Sequence, residues 1–126
     1  MESISPNIFT SDMPGTIAFY KALGFTVTMS VPEEGAEFVW VMMVKGKVTF
    51  MFQTFESLGH DLPEISRQNG GSLLLYINLK DIHGFFEQIK DKVTVLKGLE
   101  TTFYGATEFS ILDNNAYVLT FAEQSS

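Results

Sequence analysis

The sequence predicts an α+β fold made of two βαβββ modules, and three observations carry the prediction. Each half of the chain alternates apolar strand segments around one amphipathic helix, both helices open on an aspartate, and equivalent features recur at a nearly constant separation. At 126 residues the chain is sized for one domain, large enough to bury a core and too short for two independent globular domains of ordinary size.

Residues 3–10 read as a short strand. Asp12 then offers an N-cap oxygen and Pro14 falls in the first turn. A helix is expected from there to about Leu23, with Met13, Ile17 and Tyr20 on one face and Gly24 ending it in a left-handed turn. Residues 25–31 are β-branched and alternating, and Pro32-Glu33-Glu34-Gly35 is turn chemistry. Residues 37–44 and 47–53 form a hairpin around Lys45-Gly46. Between 54 and 71 the pattern dissolves into a polar, glycine-containing linker. The second module starts with a strand at 72–79. Asp81 caps a helix carrying Ile82, Phe85, Phe86 and Ile89, and a strand begins at 93–96. Residues 107–112 and 116–122 close the chain as a hairpin around Asp113-Asn114-Asn115, whose asparagines tolerate positive φ. One domain thus spans 1–126, with module one at about 3–53, a linker at 54–71 and module two at 72–123.

The halves overlay by residue as well as by element. Asp12 and Asp81 stand 69 positions apart, Glu37-Phe38 and Glu108-Phe109 stand 71 apart, and Val48 and Val118 stand 70 apart. Internal duplication explains these pairs; the competing explanation is chance overlay of alternating strands.

Composition excludes several classes of function. The absence of cysteine removes disulfides, thiolate metal sites and cysteine nucleophiles, and is compatible with a reducing cytoplasm. A net charge of −7 repels phosphate backbones and anionic lipid, so nucleic acid is not an expected partner. No run reaches the roughly 18 apolar residues a spanning helix needs, and residues 1–6 do not read as a targeting segment. Phosphate-binding loops, nucleophile–base–acid sets and zinc spacings are not found.

Two stretches resemble a known family. Asp12-Met13, Ala18-Phe19-Tyr20 and Leu23-Gly24-Phe25 resemble the opening of the glyoxalase/bleomycin-resistance/extradiol dioxygenase (vicinal oxygen chelate) superfamily. Residues 104–123, from Tyr104-Gly105 through Glu108-Phe109 and Asp113 to Tyr117, Leu119, Phe121 and Glu123, resemble its closing hairpin. The match departs at the turn, where Asn114 and Ala116 replace the usual Pro and Gly. The resemblance implies open, curled sheets forming an incomplete barrel. In metal-using members one ligand comes from each of strands one, four, five and eight. Here Ser5, Phe50, Leu74 and Thr120 occupy those positions, which implies no metal and no other cofactor, since hydroxyl and hydrocarbon groups do not hold a divalent ion.

Strand alternation divides the side chains into two faces. Facing the concavity are expected Ser5, Asn7 and Phe9; Val48, Phe50 and Phe52; Ser72, Leu74, Tyr76 and Asn78; and Val118 and Thr120. Facing the helices are expected Ile4, Ile8, Thr49, Met51, Leu73, Leu75, Ile77, Leu79, Leu119 and Phe121. The candidate ligand-binding residues are Asn7, Phe9, Phe38, Trp40, Phe50, Phe52, Tyr76, Phe103, Tyr104, Glu108 and Thr120. Aromatics among them offer a clamp for a flat or cationic ligand, or simply core packing. His60 and His83 are expected on the surface. The expectation is a small-molecule-binding protein similar to the metal-free bleomycin-resistance members, two chains pairing as a homodimer around the ligand. The alternatives are a metal-dependent glyoxalase-like lyase or extradiol-type dioxygenase with unconventional ligands, a metal-free enzyme using Glu108 or Tyr76 as acid or base, and a pure interaction module.

Overall fold

The computed structural model describes residues 1–125, which form two compact units, 1–69 and 70–126 less the final residue. Each unit carries one four-stranded sheet of the same topology. Unit 1 contains β1 (Asn7–Thr10), α1 (Met13–Ala22), β2 (Thr26–Val31), β3 (Trp40–Lys45), β4 (Val48–Thr54) and a short α2 (Phe55–Leu58). Unit 2 contains β5 (Leu74–Asn78), α3 (Ile82–Ile89), β6 (Thr94–Thr101), β7 (Ala106–Leu112) and β8 (Val118–Gln124). The strand orders are β1-β4-β3-β2 and β5-β8-β7-β6. In each sheet the first strand pairs in parallel with the last and the remaining pairs are antiparallel. A mixed α+β fold of two βαβββ modules is therefore what the chain adopts.

The helix starts follow from their caps. The Asp12 carboxylate accepts the Gly15 N–H at 3.0 Å, and the Asp81 carboxylate accepts the Gly84 N–H at 3.3 Å. Both third helical positions are glycine for a steric reason. A Cβ there would lie 2.2 Å from an Asp12 oxygen and 2.4 Å from an Asp81 oxygen. Gly24, at φ 103, ends α1, and the Lys45 ammonium donates to the last-turn carbonyl of Leu23 at 2.9 Å.

Each helix seals one face of its own sheet. In unit 1, Tyr20 is fully buried and its ring meets Phe25, Phe50 and Phe52 at centroid distances of 5.6, 5.6 and 4.7 Å. Ile8, Val41 and Met43 complete that layer. In unit 2, Phe85 and Phe86 pack on Phe109 and Phe121 above buried Ile111 and Leu119.

Several expectations are corrected. Phe50 and Phe52 point into the core under α1, not into the concavity, because they are the register partners of Met43 and Val41 and of Ile8 on the helix-covered face. The open face of β4 presents Thr49, Met51 and Gln53 instead. The helix-cap separation of 69 gives this parity correctly, whereas the 70 of Val48 and Val118 inverts it. Ile4 and Leu73, expected under the helices, precede their strands and are 94% and 52% exposed. The segment read as a linker contains α2, capped by the Thr54 hydroxyl accepting from Ser57 N at 3.1 Å. After it, the Arg67 guanidinium donates to the carbonyls of Gly59, Asp61, Leu62 and Ile65 and so fastens the loop. In the closing hairpin, Ala116 (φ 64) takes the left-handed conformation, not Asn114 or Asn115. The Asp113 carboxylate accepts from Asn115 N and Tyr117 N at 2.8 and 2.9 Å, which places the reversal one residue later.

Candidate functional site

The open face of the unit 2 sheet is laid out in rows by its strand registers. One row runs Lys97, Ser110, Thr120, Tyr76 across β6, β7, β8 and β5, and the next runs Glu100, Glu108, Ala122, Asn78. Leu74 and Val118 begin an apolar row on the other side. A concavity of about 220 Å³ lies on this face, with Tyr76, Glu108, Ser110, Thr120, Leu74 and the Lys97–Glu100 pair on its lining. Lys97 and Glu100 are bridged at 3.0 Å, while Ser110 and Thr120 share a hydroxyl–hydroxyl bond of 2.8 Å.

Glu108 is the centre of this face. The phenols of Tyr76 and Tyr104 both donate to its Oε2, Tyr104 at 2.6 Å. Gln124 donates to the Tyr76 oxygen at 3.3 Å and to Asn78 Oδ1 at 2.8 Å. Tyr104 reaches Glu108, four residues on, because the chain reverses between β6 and β7. There Gly105 (φ 86) donates to the Thr102 carbonyl, and the Thr102 hydroxyl bonds the backbone of Ala106. The Tyr-Gly-x-x-Glu spacing therefore folds a phenol back onto a carboxylate. That hydrogen bond to Glu108 is the main cause that pushes the Tyr104 phenol up to about 12, with burial and the Glu108 charge adding to it.

Of the other sequence candidates, Phe103 is 99% exposed beside Tyr104, its ring edge-on at 5.0 Å. Asn7, Phe9 and Trp40 lie half-exposed on the open face of the unit 1 sheet. Asn7 Nδ2 donates to Gln53 Oε1 at 3.0 Å, and Phe9 stacks on Phe55 at 6.0 Å. The buried Asn7 Oδ1 has no hydrogen-bond partner among the described residues. Phe38 does not share a strand face with Trp40, since β3 begins at Trp40. It lines a separate cavity of about 800 Å³ with Thr10, Met13, Ile17 and Phe55. Thus Tyr76, Tyr104, Glu108 and Thr120 are brought together, Asn7, Phe9 and Trp40 share the other sheet's open face, and Phe50 and Phe52 are in the core. His60 and His83 are exposed. Gln124 and Ser110 are not among the candidates from sequence; Gln124 is placed here by its hydrogen bonds to Tyr76 and Asn78, and Ser110 by its register with Thr120.

The metal positions implied by the family resemblance do not fit a divalent ion. With the parity of β4 corrected, the position equivalent to Thr120 is Met51, a thioether; Leu74 has no donor atom, Ser5 precedes β1, and the Thr120 hydroxyl is engaged by Ser110. Among the described residues no three His, Cys, Asp or Glu side chains converge.

A missed anchor is Glu123. Its Oε1 accepts the Ile82 N–H at 2.9 Å, and this backbone hydrogen bond at the start of α3 holds the carboxyl below its ordinary value. No described helix is long and apolar enough to cross a membrane.

The model of the glyoxalase/bleomycin resistance protein/dioxygenase superfamily matches residues 4–121. Among solved structures, a protein of unknown function from Agrobacterium tumefaciens str. C58 is similar at 23% identity and TM-score 0.78, covering 99% of this chain and 95% of that one. A glyoxalase/bleomycin resistance protein/dioxygenase family enzyme from Burkholderia phytofirmans PsJN shares 21% identity at TM-score 0.77, with 96% and 97% covered. A bleomycin-binding protein complexed with bleomycin shares 19% identity at TM-score 0.67, with 99% and 100% covered. No curated protein matches the chain.

Proposed function

Because this chain belongs to the glyoxalase/bleomycin resistance protein/dioxygenase superfamily, we propose that it is a small-molecule-binding protein that works without a metal. The observation that carries the reading is the contrast between the two faces of the unit 2 sheet. One is sealed by Phe85, Phe86, Phe109 and Phe121. The other bears a small concavity with a carboxylate, phenols and hydroxyls beside hydrocarbon, the mixture that orients a ligand within an apolar site. The similar bleomycin-binding structure supports a ligand as the cargo of this fold. We further propose that two chains pair as a homodimer. The half-exposed Leu74 at 50% and Met29 at 57% support this, since a second copy would cover them.

Thermal unfolding tests the reading. Bleomycin at about 100 times its Kd adds about 2.7 kcal/mol of stability by linkage, whereas zinc, nickel or manganese leave the midpoint unchanged. If neither bleomycin nor a charge-diverse panel of small organic ligands moves the midpoint, the binding reading fails. Stoichiometric transition metal in protein purified without chelators would instead support a glyoxalase-like lyase or a dioxygenase. A single-chain mass in light scattering at working concentration would refute the pairing.

A further inference from the structure

We propose that the Glu108 cluster selects N–H-rich organic cations of the amidinium or guanidinium class, Glu108 serving as counter-ion and the phenol oxygens of Tyr76 and Tyr104 as further acceptors. The inference rests on the reading that this open face holds a small molecule, and it goes further by naming the chemistry of that molecule.

The hydrogens around Glu108 are already committed. A phenol has one hydrogen, and both Tyr76 and Tyr104 direct theirs to Glu108 Oε2. The Gln124 amide has two, one directed to the Tyr76 oxygen and the other to Asn78 Oδ1. What the cluster has left for a ligand is lone pairs, on Glu108 Oε1 and on the two phenol oxygens. Hydrogens still unspent on this face belong to Asn78, two strands from Glu108, and, one row away, to the Ser110–Thr120 pair and the Lys97 ammonium, which also faces Glu100.

Charge points the same way. Glu100 lies directly across from Glu108 on the neighbouring strand, but Lys97 bridges Glu100 at 3.0 Å and compensates it. Glu108 is therefore the lining charge without a cationic partner. At Glu108 and its two phenols a carboxylate or phosphate would meet a like charge and acceptors, and a carbonyl would find no hydrogen; the hydroxyls and the Lys97 ammonium that could serve them stand one row away. An amidinium or guanidinium brings a planar fork of N–H donors and a positive charge, matching both deficits at once.

The test is a chemical-shift titration of the intact chain with three isosteric probes at pH 7 and fixed ionic strength: benzamidine, benzamide and benzoate. Benzamidine is expected to shift the amides of Tyr76, Glu108 and Thr120, and to bind at least about tenfold more tightly than the other two. E108Q is expected to abolish that preference. The proposal is overturned if benzamide or benzoate matches benzamidine at these residues, or if folded E108Q keeps the benzamidine affinity within about twofold. Should E108Q not fold, the three-probe comparison on the unaltered chain decides alone. Binding of benzamide or benzoate without preference overturns this inference and leaves the broader binding reading standing. Silence from all three at these amides overturns this inference and counts against a ligand on this face.

Discussion

The phenol of Tyr104 reports on Glu108 from outside the core, where a spectroscopic titration can read it. Its raised value, about 12, has the Glu108 hydrogen bond as its largest cause, so E108Q should bring one tyrosine back toward its ordinary value of 10.0 when absorbance at 295 nm is followed against pH. Any contribution of this contact to stability is present below pH 10 and fades as pH rises through 12, because the folded state holds the proton more tightly. Glu123 has the opposite sign. Its folded carboxyl is lowered from 4.5 by the Ile82 N–H, so its contribution is present above that value and is lost as pH falls through the lowered one. E123Q should flatten the acid limb of a stability–pH curve measured by urea unfolding; an unchanged limb would deny Glu123 that role. Ala116 offers a third single-residue test. A left-handed alanine costs about 1 kcal/mol relative to glycine, so A116G should raise the urea midpoint.

At the scale of elements, the two aspartate caps are not equivalent. Asp12 has φ −137, whereas Asp81 is left-handed at φ 57. D12A should cost about 1 kcal/mol in urea unfolding, the loss of one cap. D81A should cost more, since alanine loses the cap and tolerates the left-handed state less well, while D81G should be nearly neutral. The faces of β4 separate just as sharply. F52A should cost about 3–5 kcal/mol as a core cavity, and M51A on the open face less than about 1 kcal/mol. Helix starts were legible because an aspartate followed by proline or glycine within a turn has few other uses. The parity of β4 was legible too, in the bare alternation of Val48, Phe50 and Phe52 with Thr49, Met51 and Gln53, but repeat spacing across a loop of different length overrode it. The short α2 was hidden because four residues give no period, and β6 was seen only at its start because its bulges break alternation. Tyr104 and Glu108 were both visible as residues. Their contact was not, since it depends on the reversal at Gly105.

For the whole molecule, the repeated topology presents two open faces with different chemistry. Unit 1 offers Trp40, Met42 and Met51, and unit 2 offers Tyr76, Thr120 and Glu108, although both sheets have the same strand order and comparable helix cover. Both closed faces are apolar, while the open faces differ. The outermost strands have kept something else in common. β2 carries one extra residue opposite β3, between Val27 and Met29, and β6 carries two opposite β7, one between Val95 and Lys97 and one between Lys97 and Glu100. A margin bent in this way is a poor template for another chain's backbone. Deleting Thr28 would straighten the margin of β2, and the cost would show as fibrillar growth in concentrated stock rather than as weakened recognition.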